Sequence, residues 1–202
     1  MEKTIAIVAS TAVGALIIGA VVVTTVMKPA DRFADCRTSR IAGTVGGPFN
    51  LINAAGETVT ETDVITKPSL IYFGYTFCPD VCPLDVARNA EAVDILDEQG
   101  LDIQPVFISI DPERDTPEVV GDFAENMHPK MIGLTGTPEQ VKAASQAYKT
   151  FYQKQDGDPD YYLVNHSTSS YLVYPEEGFI QFFDRSLRGD QMAEQLKCFL
   201  EA

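Results

Sequence analysis

The pattern of apolar and polar positions separates an uncharged N-terminal run from a longer part with strand-like and helix-like periodicity. Residues 5–27 carry no charge and are rich in Val, Ile and Ala. As a helix with a rise of about 1.5 Å per residue, this run would extend about 34 Å. The hydrocarbon core of a bilayer is about 30 Å thick. We therefore expect residues 1–4 to form a short tail and residues 5–27 to form a transmembrane anchor.

A cleaved signal peptide is the alternative for this N-terminal run. The apolar region of a signal peptide is usually about 7–15 residues long and ends in a small-x-small cleavage site. Ala30-Asp31-Arg32 does not match such a site, and Asp35 directly before Cys36 fits a lipid-attachment site poorly. We therefore expect a retained anchor, a polar linker over residues 28–47, and one domain over residues 48–202.

Short apolar runs predict the strands of this domain. Leu70-Ile71-Tyr72-Phe73 contains no charged position, which is typical of a strand buried on both faces. Alternating residues around Asn53-Ala54-Ala55-Gly56 predict a β-hairpin over residues 49–60. Further strands are expected at residues 103–110, 161–164, 171–174 and 179–183, with the last two forming a hairpin.

Helical spacing and capping signals predict the helices. The first helix should have Pro83 at its first position and end before Gly100. Its buried stripe should consist of Leu84, Ala87, Ala90, Val93 and Leu96. Two more helices should begin at Thr116-Pro117 and at the capping box Thr137-Pro138-Glu139-Gln140, and a last one should span residues 190–200. This order predicts an α/β fold: a thioredoxin-like three-layer sandwich with an N-terminal β-hairpin extension, preceded by one transmembrane helix.

The net charge narrows the range of binding partners. Lys and Arg total 15 against 29 Asp and Glu, so the net charge is −14. Such a surface repels phosphate backbones, and we expect no nucleic-acid partner.

Cys36 and Cys198 lie near the two ends of the domain, where chain termini are often close. We predict a structural disulfide between them, with two inert thiols as the alternative.

The candidate chemistry lies directly after the buried strand, where Cys78 and Cys82 are separated by three residues. In a helical turn, Cβ atoms four residues apart are about 5–6 Å from each other. Both sulfurs could therefore bind one metal ion when reduced or form a disulfide when oxidised. The adjacent helix N-terminus is expected to lower the pKa of Cys82. Structural zinc needs four protein ligands, so two thiolates with few further candidates favour Cu(I).

Two histidines are candidates for a third ligand. His128 lies at the end of a predicted helix, and we expect a capping or surface role. His166 lies in a polar loop before the predicted strand 171–174, and such loops often carry sites. From the residues alone, metal ligation by His166 and an ordinary hydrogen-bonded histidine are equally open.

Taken together, these motifs resemble the Sco/SenC family of thioredoxin-like, copper-binding proteins that serve cytochrome c oxidase assembly. The matching segments run in order from about residue 46 to residue 184. They are Gly47-Pro48-Phe49, Tyr72-Phe73-Gly74-Tyr75-Thr76 with Cys78-Pro79-Asp80-Val81-Cys82-Pro83, Asp111-Pro112-Glu113-Arg114-Asp115-Thr116-Pro117, Gly133-Leu134-Thr135-Gly136 and His166-Ser167.

The resemblance implies that Cys78, Cys82 and His166 bind copper, as Cu(I), Cu(II) or both. It implies a membrane-anchored copper metallochaperone, not an enzyme. This protein would take copper from an upstream donor and deliver it to the CuA site of cytochrome c oxidase subunit II. The alternatives are a thiol-disulfide oxidoreductase that reduces the CuA-site cysteines, and a copper or redox sensor. We expect a single-pass protein of the bacterial inner membrane whose domain faces the periplasm.

Two positions depart from the family pattern, because Asn53 and Asn165 stand where aspartate is usual. An amide beside the metal would remove a negative charge and could change the orientation of the imidazole. Thioredoxins usually place a cis-proline opposite their dithiol, and this chain has no proline at Asn165-His166. The difference favours metal binding over general disulfide exchange.

The remaining polar and aromatic residues near the motif are expected to have supporting roles. Asp111, Arg114 and Asp115 should form a structural loop with an ion pair and a cap, near the mouth of the site. Tyr75 and Phe77 should form the walls of the pocket and contribute to a docking surface.

Overall fold

The structure, a computed structural model, describes residues 31–37, 44–158 and 161–202. The chain divides into two compact units, Met1–Asp35 and Cys36–Ala202. In the first unit, the described residues form a turn in which Ala34 N donates to the Asp31 carbonyl oxygen at 3.0 Å. The predicted anchor over residues 5–27 lies outside the described residues, and no helix among the residues described is long and apolar enough to cross a membrane.

Nine strands and five helices are present in the described part of the second unit. The strands are β1 (Asn50–Asn53), β2 (Thr58–Thr60), β3 (Ser69–Gly74), β4 (Gln104–Ser109), β5 (Ile132–Thr135), β6 (Tyr152–Lys154), β7 (Val164–His166), β8 (Ser170–Tyr174) and β9 (Gly178–Phe183). The helices are α1 (Glu61–Val64), α2 (Val81–Glu98), α3 (Pro117–Met127), α4 (Pro138–Ala147) and α5 (Gly189–Leu200).

The strand that precedes the cysteines lies inside the main sheet. Seven strands form this sheet in the order β2-β1-β5-β4-β3-β8-β9, and β6 and β7 form a separate two-stranded sheet. Ile71 of β3 pairs in parallel with Val106 of β4 and antiparallel with Tyr171 of β8. All six residues of β3 are buried, as its uninterrupted apolar sequence predicted.

Helices cover both faces of the sheet. Successive residues of a strand point to opposite faces. The Tyr72 hydroxyl donates to Asp85 of α2 at 3.0 Å, whereas the Phe73 ring lies 5.4 Å from that of Tyr148 at the end of α4. Helices α2 and α4 therefore lie on opposite sides of β3, which gives the three layers that the sequence predicted.

Helix α2 begins two residues earlier than predicted. Its first residue is Val81, so Pro83 occupies the third position. The first four N–H groups of a helix have no partner within it, and proline is tolerated there. Leu84, predicted to be buried, is 61% exposed, and Ala87 is exposed as well. The buried stripe starts instead from Cys82 and Val86, because Cys82 packs against the end of β3.

Other predicted elements are confirmed or shifted. The hairpins β1–β2 and β8–β9 are present, and the Thr116 side chain caps α3 by accepting from Val119 N. The strand predicted at residues 161–164 begins at Val164 and pairs with β6, which was not predicted. Strand β5 was also missed, because Gly133 interrupts its apolar pattern. Glycine is required there, since a Cβ atom would lie 2.9 Å from Val120 Cγ1.

Cys36 and Cys198 form a disulfide in the structure, with their Cα atoms 5.6 Å apart. Cys198 lies in the last turn of α5. The bond therefore ties the start of the second unit to its C-terminal helix.

Candidate metal centre

Two segments that are distant in the chain bring Cys78, Cys82 and His166 together. Cys78 lies in the loop after β3, Cys82 is the second residue of α2, and His166 is the last residue of β7. Their two sulfur atoms and one ring nitrogen all lie within 4.8 Å of one another. Cys82 Sγ is 3.3 Å from His166 Nε2. Both cysteines are free thiols, with Cys82 buried and Cys78 partly exposed.

The end of β3 passes close to the site and has room for glycine alone. A Cβ atom on Gly74 would lie 2.8 Å from Tyr72 Cε1 and 3.1 Å from Cys82 Sγ. The loop then turns, with Cys78 N donating to the Tyr75 carbonyl oxygen at 3.3 Å. Cys82 N, one of the free donors at the start of α2, donates to Cys78 Sγ at 3.3 Å.

Asp115 anchors this loop from the neighbouring strand end. Its carboxylate accepts hydrogen bonds from Thr76 N at 3.0 Å, Thr76 Oγ1 at 2.5 Å and Ser109 Oγ at 2.6 Å. Asp115 is fully buried. Arg114 forms an ion pair with Asp111 at 2.6 Å. These contacts agree with the structural role expected for the three residues.

The ring of His166 is oriented by backbone and aromatic neighbours. Its Nδ1 lies 2.7 Å from the Ser167 carbonyl oxygen. Because a carbonyl oxygen can only accept, Nδ1 carries the proton and the lone pair of Nε2 points towards Cys82. The rings of Tyr72 and Tyr75 lie edge-on to the imidazole, with centroids 6.2 and 5.9 Å away.

The two asparagines that depart from the family pattern have other roles. Asn165 precedes His166 in β7, so its side chain points to the opposite face of that strand. There its Oδ1 accepts from Gln155 Nε2 at 2.6 Å. Asn53 Oδ1 accepts from the backbone of Ala55 and Glu57 and closes the β1–β2 turn. In this structure the Ser167 carbonyl, rather than Asn165, sets the imidazole orientation.

The two thiols have opposite electrostatic environments. Burial raises the pKa of Cys82. Burial also opposes charge on Cys78, but hydrogen bonds from Cys82 N, Asp80 N and the Tyr75 hydroxyl outweigh it and lower the pKa of Cys78. The expectation of a lowered pKa for Cys82 is therefore wrong, because the free N–H of α2 points at the other sulfur. Burial lowers the pKa of His166, which favours the neutral ring that metals bind.

The second histidine is hydrogen-bonded beside a cluster of charged residues. His128 caps the end of α3 as expected, but it is buried rather than at the surface. Its Nδ1 accepts from Lys130 N at 3.1 Å, so Nε2 carries the proton and donates to Asp94 at 3.2 Å. Asp97 lies close enough to complete a set of three ligands, but both its oxygens accept from Lys130 Nζ at 2.6 Å. The His128 ring and the Asp97 carboxylate are therefore already occupied by hydrogen bonds within the protein.

The fold and the site together define a class of protein. Two thiols and an imidazole converge at the carboxyl end of a central strand, in a mixed α/β sheet covered by helices. Soft sulfur donors in low number select soft metal ions such as Cu(I). The chain is thus a thioredoxin-like protein with a candidate three-ligand site for a soft metal.

Comparison with known proteins identifies the family. The SCO1/SenC family model matches residues 37–201. The chain is 52% identical to protein SenC of Rhodobacter capsulatus over 204 residues, which cover 100% of this chain and 92% of SenC. This chain belongs to the SCO1/SenC family, as its motifs indicated.

Solved structures of relatives share the fold. The crystal structure of Arabidopsis thaliana ScoI with copper bound has a TM-score of 0.74 and 40% identity, covering 79% of this chain and 100% of that one. Yeast Sco1 with copper bound has a TM-score of 0.74 and 33% identity, covering 79% of this chain and 90% of that one. The predicted thioredoxin-like α/β fold is thereby confirmed.

Proposed function

We propose that this protein is a copper metallochaperone that holds copper through Cys78, Cys82 and His166 and delivers it to the CuA site of cytochrome c oxidase subunit II. The observation that carries the proposal is the convergence of the three donor atoms within 4.8 Å. The Nε2 lone pair of His166 already faces Cys82 Sγ at 3.3 Å, so binding requires little rearrangement. Such preorganisation reduces the free-energy cost of binding.

The donor set and the relatives support copper as the cargo. Two thiolates and one neutral imidazole suit Cu(I). Relatives at 40% and 33% identity have been solved with copper bound. A site with three protein ligands leaves a coordination position to which a thiolate of the receiving protein can bind. The receiver can then displace the ligands of this chain one at a time, so that copper is not released into solvent.

Exposed apolar side chains close in sequence to the candidate ligands support a docking partner. Five large apolar side chains are exposed in the described part of the chain. They lie in the two segments that supply the ligands: Phe77 and Leu84 beside the cysteines, and Phe151, Tyr161 and Leu163 in and around the β6–β7 hairpin. Contiguous exposed apolar patches mark interaction surfaces, and these side chains would contribute to one. The receiving subunit would cover them while copper is transferred.

The proposed location follows from the N-terminal run and the chemistry. Residues 5–27 would anchor the protein in the bacterial inner membrane with one span, and the site chemistry favours a domain that faces the periplasm. More basic residues follow the run than precede it, but long domains cross a membrane largely regardless of charge. An upstream donor would load copper there. The Cys36–Cys198 disulfide supports an oxidising compartment outside the cytoplasm.

A second candidate, a thiol-disulfide oxidoreductase that reduces the CuA-site cysteines, is favoured by one observation. Cys78 is partly exposed with a lowered pKa, whereas Cys82 is buried, which is the usual arrangement of an attacking and a resolving thiol. In its favour, the reaction needs only the two sulfurs. However, no peptide bond among the described residues is cis, and His166 occupies the position facing the dithiol. We therefore prefer copper delivery.

Copper binding by ligand variants tests the proposal. The reduced full-length protein should bind one copper per chain, and X-ray absorption should show two sulfur ligands and one nitrogen ligand. Cys78→Ser, Cys82→Ser and His166→Ala should each lose this copper. His128→Ala is the matched control, because it removes the other imidazole and should retain copper. Unchanged copper affinity and absorption spectrum in His166→Ala would refute the ligand assignment.

Oxidase assembly separates the two candidate functions. A chaperone needs the imidazole as well as the thiols, so His166→Ala and Cys78→Ser strains should have equal defects in CuA content. A reductase needs only the thiols. A defect confined to the Cys78→Ser strain would therefore support reduction of the CuA cysteines and contradict copper delivery.

A further inference from the structure

The hairpin that carries His166 is not hydrogen-bonded into the main sheet. Strands β6 and β7 pair only with each other in the described part of the chain. Contacts from side chains elsewhere in the domain must therefore hold the hairpin in place; one of these is the Tyr75 hydroxyl, which accepts from Val164 N at 3.3 Å. Whatever holds the hairpin also sets the distance from His166 to the two cysteines.

The loop over residues 111–115, here called the bridging loop, contacts both halves of the site. On one side, the Tyr162 hydroxyl donates to Asp111 Oδ1 at 2.5 Å. Tyr162 is buried and lies two residues before β7. On the other side, Asp115 accepts from Thr76 N at 3.0 Å. The bridging loop thus connects the His166 hairpin to the cysteine loop.

Arg114 of the bridging loop contacts an aromatic ring from each half of the site. Its guanidinium carbon lies 3.6 Å from the ring centroid of Tyr162 and 4.8 Å from that of Phe77. Phe77 directly precedes Cys78. Both distances lie within the limit of about 6 Å for a cation–π contact. We call Arg114 and the rings of Phe77 and Tyr162 the cation clamp.

Burial makes the two rings important neighbours of this cation. The Arg114 side chain is 13% exposed, and its Nε donates to Asp111 at 2.6 Å. Its Nη2 is buried and has no hydrogen-bond partner among the residues that the structure describes. A ring face attracts a cation, and the planar guanidinium can stack against it. The contribution of each ring therefore depends on the charge of Arg114.

We propose that Arg114 is a positioning residue that slows copper release by holding the His166 hairpin against the cysteine loop. Outward movement of the hairpin would carry the imidazole away from the sulfurs and separate Tyr162 from Phe77. Arg114 could then no longer contact both rings. The inference rests on the proposed copper-binding function and goes beyond it, because it assigns copper retention to a residue that is not a ligand.

The rate of copper loss from the loaded full-length protein tests the cation clamp. Cu(I) is captured by an excess of bicinchoninate, at concentrations where the rate no longer depends on the chelator. Arg114→Met keeps an apolar stem without the charge and should lose copper on the order of tenfold faster. Phe77→Leu should lose it about threefold faster, because the Phe77 contact is the longer one. Arg188→Met, which removes an exposed ion pair with Asp190, is the matched control and should keep the wild-type rate.

The double variant Phe77→Leu/Arg114→Met distinguishes a clamp from two independent effects. It should lose copper no faster than Arg114→Met alone, because Phe77 acts through the cation. Effects that multiply, to about thirtyfold, would show that the two side chains act independently and would overturn the inference. A wild-type rate in Arg114→Met would also overturn it.

Amide hydrogen exchange in the reduced, copper-free protein tests the clamp without the metal. Opening of the hairpin breaks the bond from Val164 N to Tyr75, so this N–H should exchange on the order of tenfold faster in Arg114→Met. Gln155 N donates to the Leu163 carbonyl oxygen inside the hairpin and should keep its rate, as should the amides of β3. Faster exchange at all of these positions would mean general destabilisation and would contradict a positioning role.

The outcomes separate failure of this inference from failure of the proposed function. If Arg114→Met does not fold, Phe77→Leu carries the test, because Phe77 is 54% exposed. Wild-type copper loss and Val164 exchange in that variant would overturn the clamp and leave copper binding intact. A wild-type protein that binds no copper at the three ligands would refute the proposed function, and Val164 exchange would still decide whether Arg114 holds the hairpin.

Discussion

Replacing Asp115 with alanine should destabilise the domain by removing the anchor of the cysteine loop. The carboxylate is fully buried and accepts three hydrogen bonds, from Thr76 N, Thr76 Oγ1 and Ser109 Oγ. Thr76 lies two residues before Cys78 in the chain. Loss of this carboxylate should therefore loosen the loop that carries the first sulfur.

The size of the effect follows from the donors that lose their acceptor. A buried donor left without a partner costs about 1–3 kcal/mol. The two hydroxyls can rotate towards other acceptors, but the Thr76 N–H is fixed by the backbone. Removing the carboxylate also recovers its desolvation cost, and burial does raise the pKa of Asp115. We expect a net loss of about 3 kcal/mol in the free energy of unfolding, below the sum of three separate bonds.

Urea unfolding of the reduced, copper-free protein measures this loss. With a slope of about 2 kcal/mol/M, the midpoint should fall by about 1.5 M. Glu113→Gln is the matched control on the same loop, because it removes an exposed ion pair with Lys154 and leaves an amide oxygen that can accept the 3.3 Å hydrogen bond from the Tyr162 hydroxyl. It should change stability by less than about 1 kcal/mol. If Asp115→Ala unfolds within 1 kcal/mol of the wild type, the carboxylate is not the anchor described here.

Two further predictions concern the cysteines. The Cys36–Cys198 disulfide spans 162 residues, and the chain-entropy model limits the stabilisation by such a cross-link to about 5 kcal/mol. The double variant Cys36→Ser/Cys198→Ser should therefore unfold at a lower urea concentration than the oxidised wild type. Equal midpoints would show that the cross-link contributes nothing to stability. Iodoacetamide should modify Cys78 first, with a pH midpoint below that of the same thiol in the urea-unfolded protein, because hydrogen bonds in the folded protein lower the pKa of Cys78. Cys82 should react only in urea, since it is buried. Equal rates for the two thiols in the native protein would contradict the environments described above.

The fold class could be predicted because its signals are local. The uninterrupted apolar run of β3 predicts a central strand whatever lies around it. Thr116 and Thr137 mark helix starts through their own side chains, and both cap helices in the structure. The hairpins β1–β2 and β8–β9 depend on turns of a few residues. The helix caps and hairpins are decided by contacts between residues close in sequence, and the buried character of β3 is visible in its own composition.

Packing decided the features that were predicted wrongly. The buried face of α2 depends on how Cys82 docks on β3, so Leu84 and Ala87 point to solvent although their spacing is helical. The thiol with the lowered pKa depends on where the helix N–H groups point, and Cys82 N points at Cys78. The spacing of residues in a helical pattern does not show which face of α2 is buried. It also does not show which sulfur the N–H groups of the helix face.

For the site, the sequence alone determined that two thiols lie close together after a central strand, because a chain segment of four residues can span only a short distance. Only the tertiary structure decided that His166, 84 residues beyond Cys82, faces the same point. Its strand lies outside the main sheet and is placed by side chains such as Tyr75, whose partners come from separate segments. Local periodicity carries no information about distances between such segments, and packing of the folded chain sets them.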